Sequence, residues 1–159
     1  MKILKRSMLL LITCVAIIAG CSKDEETSID DTYPIIDNTA ETAFPKQCSV
    51  INRGRSFVFR TTFSDDTELG SVSVDIHHNF DHHSHSTEVS DCNMDPVKAP
   101  LRPFLLIQDF PLPAGLKNYV LEKEILVPTD VDPGDYHFLI RVTDKAGWQT
   151  IKGISIKVE

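Results

Sequence analysis

Val72-Ser73-Val74-Asp75-Ile76-His77 alternates without a break, with Val72, Val74 and Ile76 on one side of an extended chain and Ser73, Asp75 and His77 on the other. A period of two is what a strand with one buried and one polar face requires, whereas a helical face repeats every 3.6 residues. Working outward, Ser56-Phe57-Val58-Phe59-Arg60-Thr61-Thr62-Phe63 is a β-branched and aromatic run that ends in a turn at Ser64-Asp65-Asp66. Tyr119 to Val127, then Tyr136-His137-Phe138-Leu139-Ile140-Arg141-Val142, then Ile151 to Val158 are further strand candidates; the last has Ile151, Ile154, Ile156 and Val158 as its apolar positions. No segment sustains a helical period. Five of the nine prolines lie between Pro96 and Pro113, which keeps that stretch out of a sheet interior and leaves at most an edge strand around Phe104 to Ile107. The pattern predicts an all-β domain.

The N-terminus reads as a targeting segment. Lys2, Lys5 and Arg6 precede a mostly apolar stretch from Met8 to Ala19, too short for a permanent membrane span, which ends in Ile18-Ala19-Gly20-Cys21. That ending resembles the lipobox of bacterial lipoproteins, in which the cysteine is lipidated and becomes the first mature residue. The following Ser22-Lys23-Asp24-Glu25-Glu26 resembles the acidic surface-export signal of Bacteroidetes lipoproteins. The resemblance implies a signal peptide over residues 1–20, lipidation at Cys21 and a protein held to the outer membrane by its lipid anchor alone, at the cell surface. Residues 21–31, rich in Asp, Glu, Ser and Thr, read as an acidic flexible tether. Residues 32–159 are one domain's worth of chain.

Removing residues 1–20 takes away three positive charges and no acids, so a formal charge of −7 becomes −10. Such a protein is poorly suited to nucleic acid and attracts cations. Of four cysteines, Cys14 leaves with the signal and Cys21 takes the lipid. Cys48 and Cys92 are expected to pair as a disulfide outside the cytoplasm; the competing reading makes Cys92 a thiolate ligand. Pairing closes a loop of about 45 residues and stabilises the fold by roughly 4 kcal/mol on the chain-entropy account.

Asp132-Pro133-Gly134-Asp135-Tyr136, an alternating strand, and then Thr143-Asp144-Lys145-Ala146-Gly147-Trp148 as a hairpin turn resemble the final two strands of immunoglobulin-like bacterial modules. Asp-x-Gly-x-Tyr is the spacing of a tyrosine corner, with the Tyr136 hydroxyl returning to nearby backbone. From Tyr33-Pro34-Ile35 through Ile76-His77-His78-Asn79-Phe80-Asp81-His82-His83-Ser84-His85, the chain is similar to a Bacteroidetes family of lipoproteins known only as a domain of unknown function. The resemblance implies an immunoglobulin-like antiparallel β-sandwich of about seven strands and brings no catalytic residues with it. In such a sandwich the strand at about 71 to 78 lies antiparallel to the one at about 135 to 143, which sets His77 beside His137, both on the outward face.

Five of the six histidines fall between His77 and His85, with Glu88 and Asp91 following. Imidazole is the commonest transition-metal ligand, and carboxylates complete a first shell or orient the rings. The candidate ligands are His77, His82, His83, His85 and His137, with Asp81 and Glu88; Asp75 and Asp91 are further carboxylates in reach. His78 is the histidine least suited to the role, because it alternates toward the rim or core. Phe80 reads as an anchor for the loop. The blander alternative is a mobile polar segment that binds metal adventitiously. Nitrogen and carboxylate donors suit Zn(II) first, then Cu(II) or Ni(II), while Cu(I) recruits methionine and the mature chain has only Met94.

Three functions compete. The first is a surface lipoprotein that captures a transition metal or hands it to an outer-membrane transporter or another surface protein. The second is a non-catalytic adhesive or structural module whose loop contacts a protein or glycan. The third, an enzyme, is disfavoured: the chain has no His-Glu-x-x-His, nucleophile elbow or phosphate loop. Metal binding without catalysis is the leading expectation.

Overall fold

The computed structural model describes residues 29–84 and 92–159. The segment before residue 29, with Cys21, and the stretch carrying His85, Glu88 and Asp91 lie outside the described residues. Those described form eight strands: β1 (Ile35–Asp37), β2 (Ser49–Ile51), β3 (Ser56–Ser64), β4 (Leu69–His78), β5 (Leu106–Pro111), β6 (Asn118–Leu126), β7 (Gly134–Asp144) and β8 (Gln149–Val158). They make two sheets, β1-β3-β6 and β2-β8-β7-β4-β5, the all-β sandwich expected.

Alternation dictates what each strand buries. Val72, Val74 and Ile76 of β4 are each at most 1% exposed and meet Phe138, Ile140 and Val142 of β7 and Phe59 and Phe63 of β3 in one continuous core. Phe59 and Phe138 touch across the sheets with ring centroids 5.3 Å apart. Burying side chains of this size contributes about 1.5–3 kcal/mol each before the entropy of ordering is counted. In β8 the even positions Ile154, Ile156 and Val158 enter the core. Ile151 is 41% exposed, because its odd position places it on the outer face. It belongs with the outer side chains and not with the apolar set expected of that strand.

Six longer strands and two of three residues, β1 and β2, bring the count to eight, one more than the seven expected. β1 adds antiparallel to β3, and β2 runs parallel to β8, so the larger sheet is mixed. The proline-rich connection supplies β5 as the edge strand beside β4, with Pro111 at its end where a missing N–H costs nothing. The tyrosine corner is present: the Tyr136 hydroxyl donates to the Asp132 carbonyl at 2.7 Å and accepts the Phe104 amide at 3.1 Å. It pins the connection to the end of the sandwich at which β4 finishes and β7 begins. Cys48 and Cys92 form a disulfide, which removes the reading of Cys92 as a thiolate ligand.

Candidate metal centre

The β4–β7 ladder places His77 directly opposite His137, and His137 opposite Ser155 of β8. Residues opposite one another share a face, so the two imidazoles project together from the outer side of the larger sheet. Their ring centroids are 5.2 Å apart. This is the adjacency that the strand order predicts. His137 is nevertheless only 1% exposed. It points away from the core, but the chain following β4 folds back over it.

That return follows from local chemistry. The Asn79 amide donates to the Asp135 carbonyl at 2.8 Å, which extends the ladder by one bond, and Phe80 then drops into the core against Tyr136, with ring centroids 5.2 Å apart. Gly134 makes room for it: a Cβ there would stand 3.0 Å from the Phe80 ring, and its φ of +130° suits glycine. The His82 amide closes a turn onto the Asn79 carbonyl at 3.2 Å, and His82 takes a left-handed φ of 57°. The reversal delivers His83 over the strand pair. Its ring stacks on His77 with centroids 5.7 Å apart and meets His137 edge-on at 4.7 Å, while the His83 carbonyl accepts Nε2 of His137 at 3.1 Å.

One ligand nitrogen from each of His77, His83 and His137 lies within 4.8 Å of the other two. Two of the rings are oriented by aspartates. Asp75 Oδ1 sits 2.8 Å from His77 Nδ1, and Asp81 Oδ1 sits 2.6 Å from His83 Nδ1. A carboxylate on Nδ1 holds the proton there and leaves Nε2 as the basic atom, the arrangement by which carboxylate–histidine pairs raise the affinity of metal sites. The bond from His83 also holds the Asp81 carboxyl below its ordinary value of 3.8. Tetrahedral zinc, with bonds of about 2.0–2.1 Å, sets its ligand atoms about 3.3 Å apart, closer than the 4.8 Å within which the three nitrogens lie here, so the rings would have to move inward to bind it.

The remaining sequence candidates separate. His82 is turned out of the group: its Nε2 meets the Asp95 carbonyl at 2.8 Å, so it straps the loop to its returning arm. His78 lies against Phe80, with centroids 5.0 Å apart, and is not part of the three-nitrogen group. Asp81 reaches the site through His83. His85 and Glu88 lie outside the described residues. Sequence reasoning missed the returning arm, where the Asp95 amide donates to the Asp135 carboxylate at 2.7 Å and the Asp95 carboxylate accepts from Lys157 Nζ at 2.8 Å. The pairing with Asp95, against some desolvation and with help from Asp135, raises the Lys157 pKa. A cavity of about 100 Å³ lies on the His82 side of His83, lined also by Asn79, Ser84, Cys92, Met94 and Ser155; of the three grouped histidines only His83 borders it.

A family profile described as "Domain of unknown function (DUF4625)" matches residues 19–159. No curated protein matches the chain. Among solved structures, the chain is similar to Spo0M, a sporulation control protein from Bacillus subtilis, at TM-score 0.44 and 11% identity over 80% of this chain and 50% of that one. It is similar to the GspB Siglec domain at TM-score 0.42 and 18% identity, covering 82% of this chain and 59% of that one. A Niemann-Pick type C2 protein from Japanese carpenter ant gives 0.40 and 12%, covering 80% and 90%. The chain thus spans about half the length of the Spo0M chain and under two thirds of the GspB chain. Likenesses this distant carry no argument about function.

Proposed function

The chain belongs to the family described as a domain of unknown function (DUF4625), and from that premise we propose that it binds a transition metal ion at His77, His83 and His137. The observation that carries this reading is the convergence of three imidazoles from two paired strands and the turn above them, two of them held by aspartates. Strand positions 77 and 137 are fixed by ladder hydrogen bonds, so binding orders little besides the rings. Three nitrogen ligands leave a coordination position for water or for a ligand on a partner, which suits a site that takes up metal and gives it away. Zn(II) is the ion of first choice, with Cu(II) and Ni(II) as alternatives on donor chemistry.

The function we infer is capture or hand-over by a lipoprotein anchored through Cys21 at the outer surface of a Bacteroidetes cell, with an outer-membrane transporter or surface protein as recipient. The reading is non-catalytic. Both carboxylates beside the rings, Asp75 and Asp81, are engaged by ring nitrogens, which leaves neither placed to act as a general base. A second reading, an adhesive or structural module, rests on a separate observation: Leu101, Leu105 and Ile107, in and beside edge strand β5, are 66–86% exposed.

Calorimetric titration of metal-stripped protein with Zn(II), Cu(II) and Ni(II) tests the proposal. One tight site per chain that His77→Ala and His137→Ala both remove supports it. Weak binding at several sites, lost equally with every histidine, overturns it and leaves the adhesive module.

A further inference from the structure

We propose that Asp30, Asp65 and Asp144 form a calcium site that staples the chain entering β1 to the two turns at the opposite end of the sandwich. This inference is independent of the histidine site. A carboxylate oxygen from each of the three aspartates lies within 4.8 Å of the others. Asp65 sits in the β3–β4 turn and Asp144 ends β7; they are only 8% and 4% exposed.

The three side chains share one pattern. Asp65 Oδ1 accepts the amides of Thr67 and Glu68 at 2.9 and 2.7 Å. Asp144 Oδ1 accepts those of Gly147 and Trp148 at 2.6 and 2.8 Å. Asp30 Oδ1 takes the Thr32 amide at 3.2 Å and its hydroxyl at 3.1 Å. In each, one oxygen is consumed by its own turn. The other, Oδ2, is buried and has no hydrogen-bond partner in all three.

Three buried carboxylate oxygens from separate segments repel one another, and each has lost its water. Among the described residues none of the three aspartates is in an ion pair with a lysine or arginine. A divalent cation relieves both costs at once. The donors are hard oxygens, which excludes the ions suited to imidazole and selects calcium or magnesium. Calcium is the better match, because it tolerates irregular geometry and takes six to eight oxygens, whereas magnesium demands a near-ideal octahedron and keeps its water.

The surroundings show what the ion would secure. The Trp148 indole donates to the Asp30 carbonyl at 2.9 Å and packs against Tyr33, with ring centroids 5.0 Å apart. The hairpin after β7 therefore already grips the incoming chain at the site. Gly70 brings β4 and β7 close together here; a Cβ on it would stand 2.8 Å from the carbonyl oxygens of Thr143 and Asp144.

Trp148 is the only tryptophan in the chain, so its emission reports this site alone. The experiment titrates chelator-stripped full-length protein with calcium chloride, following Trp148 fluorescence and the thermal midpoint. The expected result is a saturable change with one calcium per chain, a Kd of about 10⁻⁴ to 10⁻³ M as for extracellular calcium modules, and a raised midpoint. Asp65→Asn and Asp144→Asn keep the oxygen that accepts the turn amides, so they fold, and each weakens binding at least about tenfold as one anionic ligand is lost. Asp30→Asn, in the less buried lead-in, does the same, while His77→Ala leaves the calcium response unchanged. No saturable change by about 10 mM calcium, beyond the range of such modules, overturns the proposal. So does undiminished affinity in the three Asn variants, and a magnesium response equal to that of calcium overturns the choice of ion.

Discussion

The β4–β7 ladder carries a cluster of potential ligands at each end, about 26 Å apart at 3.3 Å per residue, and the two are built on opposite principles. At the far end of β4, three imidazoles lean together and the aspartates beside them are satisfied by ring nitrogens. At its near end, three aspartates lean together, each with one oxygen satisfied by its own turn and one left over. The difference lies in where the carboxylates stand. Behind a histidine a carboxylate tunes a nitrogen donor, whereas a buried carboxylate oxygen without a hydrogen-bond partner, beside two others, is itself the donor of the proposed calcium site. One end therefore suits a borderline transition metal and the other a hard cation, although both lie at the ends of one pair of strands.

The largest expected effect separates the two ends outright. His137→Ala or His77→Ala removes a ligand from the rigid strand pair and lowers Zn(II) affinity by about a hundredfold or more, with His83→Ala close behind; the Trp148 calcium response is unchanged. His82→Ala costs only a few-fold in Zn(II) affinity, because that ring holds the loop through Asp95 and touches no ligand. Equal losses for His82 and His83 in calorimetry would erase the distinction.

The disulfide bears on the stability of the fold and, among the ligand clusters, on the histidine end. It ties Cys48, whose amide bonds the Ser155 carbonyl at 2.8 Å, to Cys92 at the returning end of the histidine loop, a sequence separation of 44 residues. Cys48→Ser with Cys92→Ser lowers stability by up to about 4 kcal/mol in urea denaturation. The double variant also weakens zinc binding more than calcium binding, because only the histidine loop loses its tie.

Asp75→Asn tests the orienting role. It leaves every nitrogen ligand in place but replaces the carboxylate on Nδ1 of His77, and a loss of about 10–100-fold in Zn(II) affinity is expected. An unchanged isotherm would show that strand geometry alone positions the ring. Zinc binding should also fall below about pH 6 as the imidazoles take up protons, with proton release measurable in the titration.

The smallest effect lies in acid stability. Asp132 holds the connection at the histidine end by accepting the amides of Arg102 and Leu101, both at 2.7 Å. Those bonds, that from Arg102 foremost, hold its carboxyl below the ordinary value of 3.8. A carboxyl whose folded pKa is depressed contributes stability above its unfolded pKa, and the contribution disappears as pH falls through the folded one. Urea midpoints measured downward from pH 5 should decline on crossing about 3.8, and Asp132→Asn should flatten that part of the decline.

Much of this was legible in the chain. The period-two runs located β3, β4, β6, β7 and β8, because each is long enough to show which side is apolar. β1 and β2 were not, since three residues such as Ile35-Ile36-Asp37 carry no period. The facing of His77 and His137 followed from strand order and alternation. The separation of His82 from His83 did not, because adjacent residues of one type are told apart only by the left-handed turn at His82 and the carbonyl it meets. The acidic end was less legible still. Asp65 and Asp144 read as ordinary turn residues and Asp30 as part of a tether, because their Oδ1 atoms do what turn aspartates do.

By itself, then, the sequence determined an all-β domain and the histidine-rich loop at the end of one strand, and favoured the pairing of Cys48 with Cys92 that the structure shows, because alternation, composition and cysteine count are local or additive properties. Only the tertiary structure decided which three histidines meet, that His137 is buried beneath a loop, and that three aspartates far apart in the chain share a space. Those facts depend on how strands from distant segments align and how turns reverse, and a ligand set exists only once that alignment brings its atoms within a few ångströms.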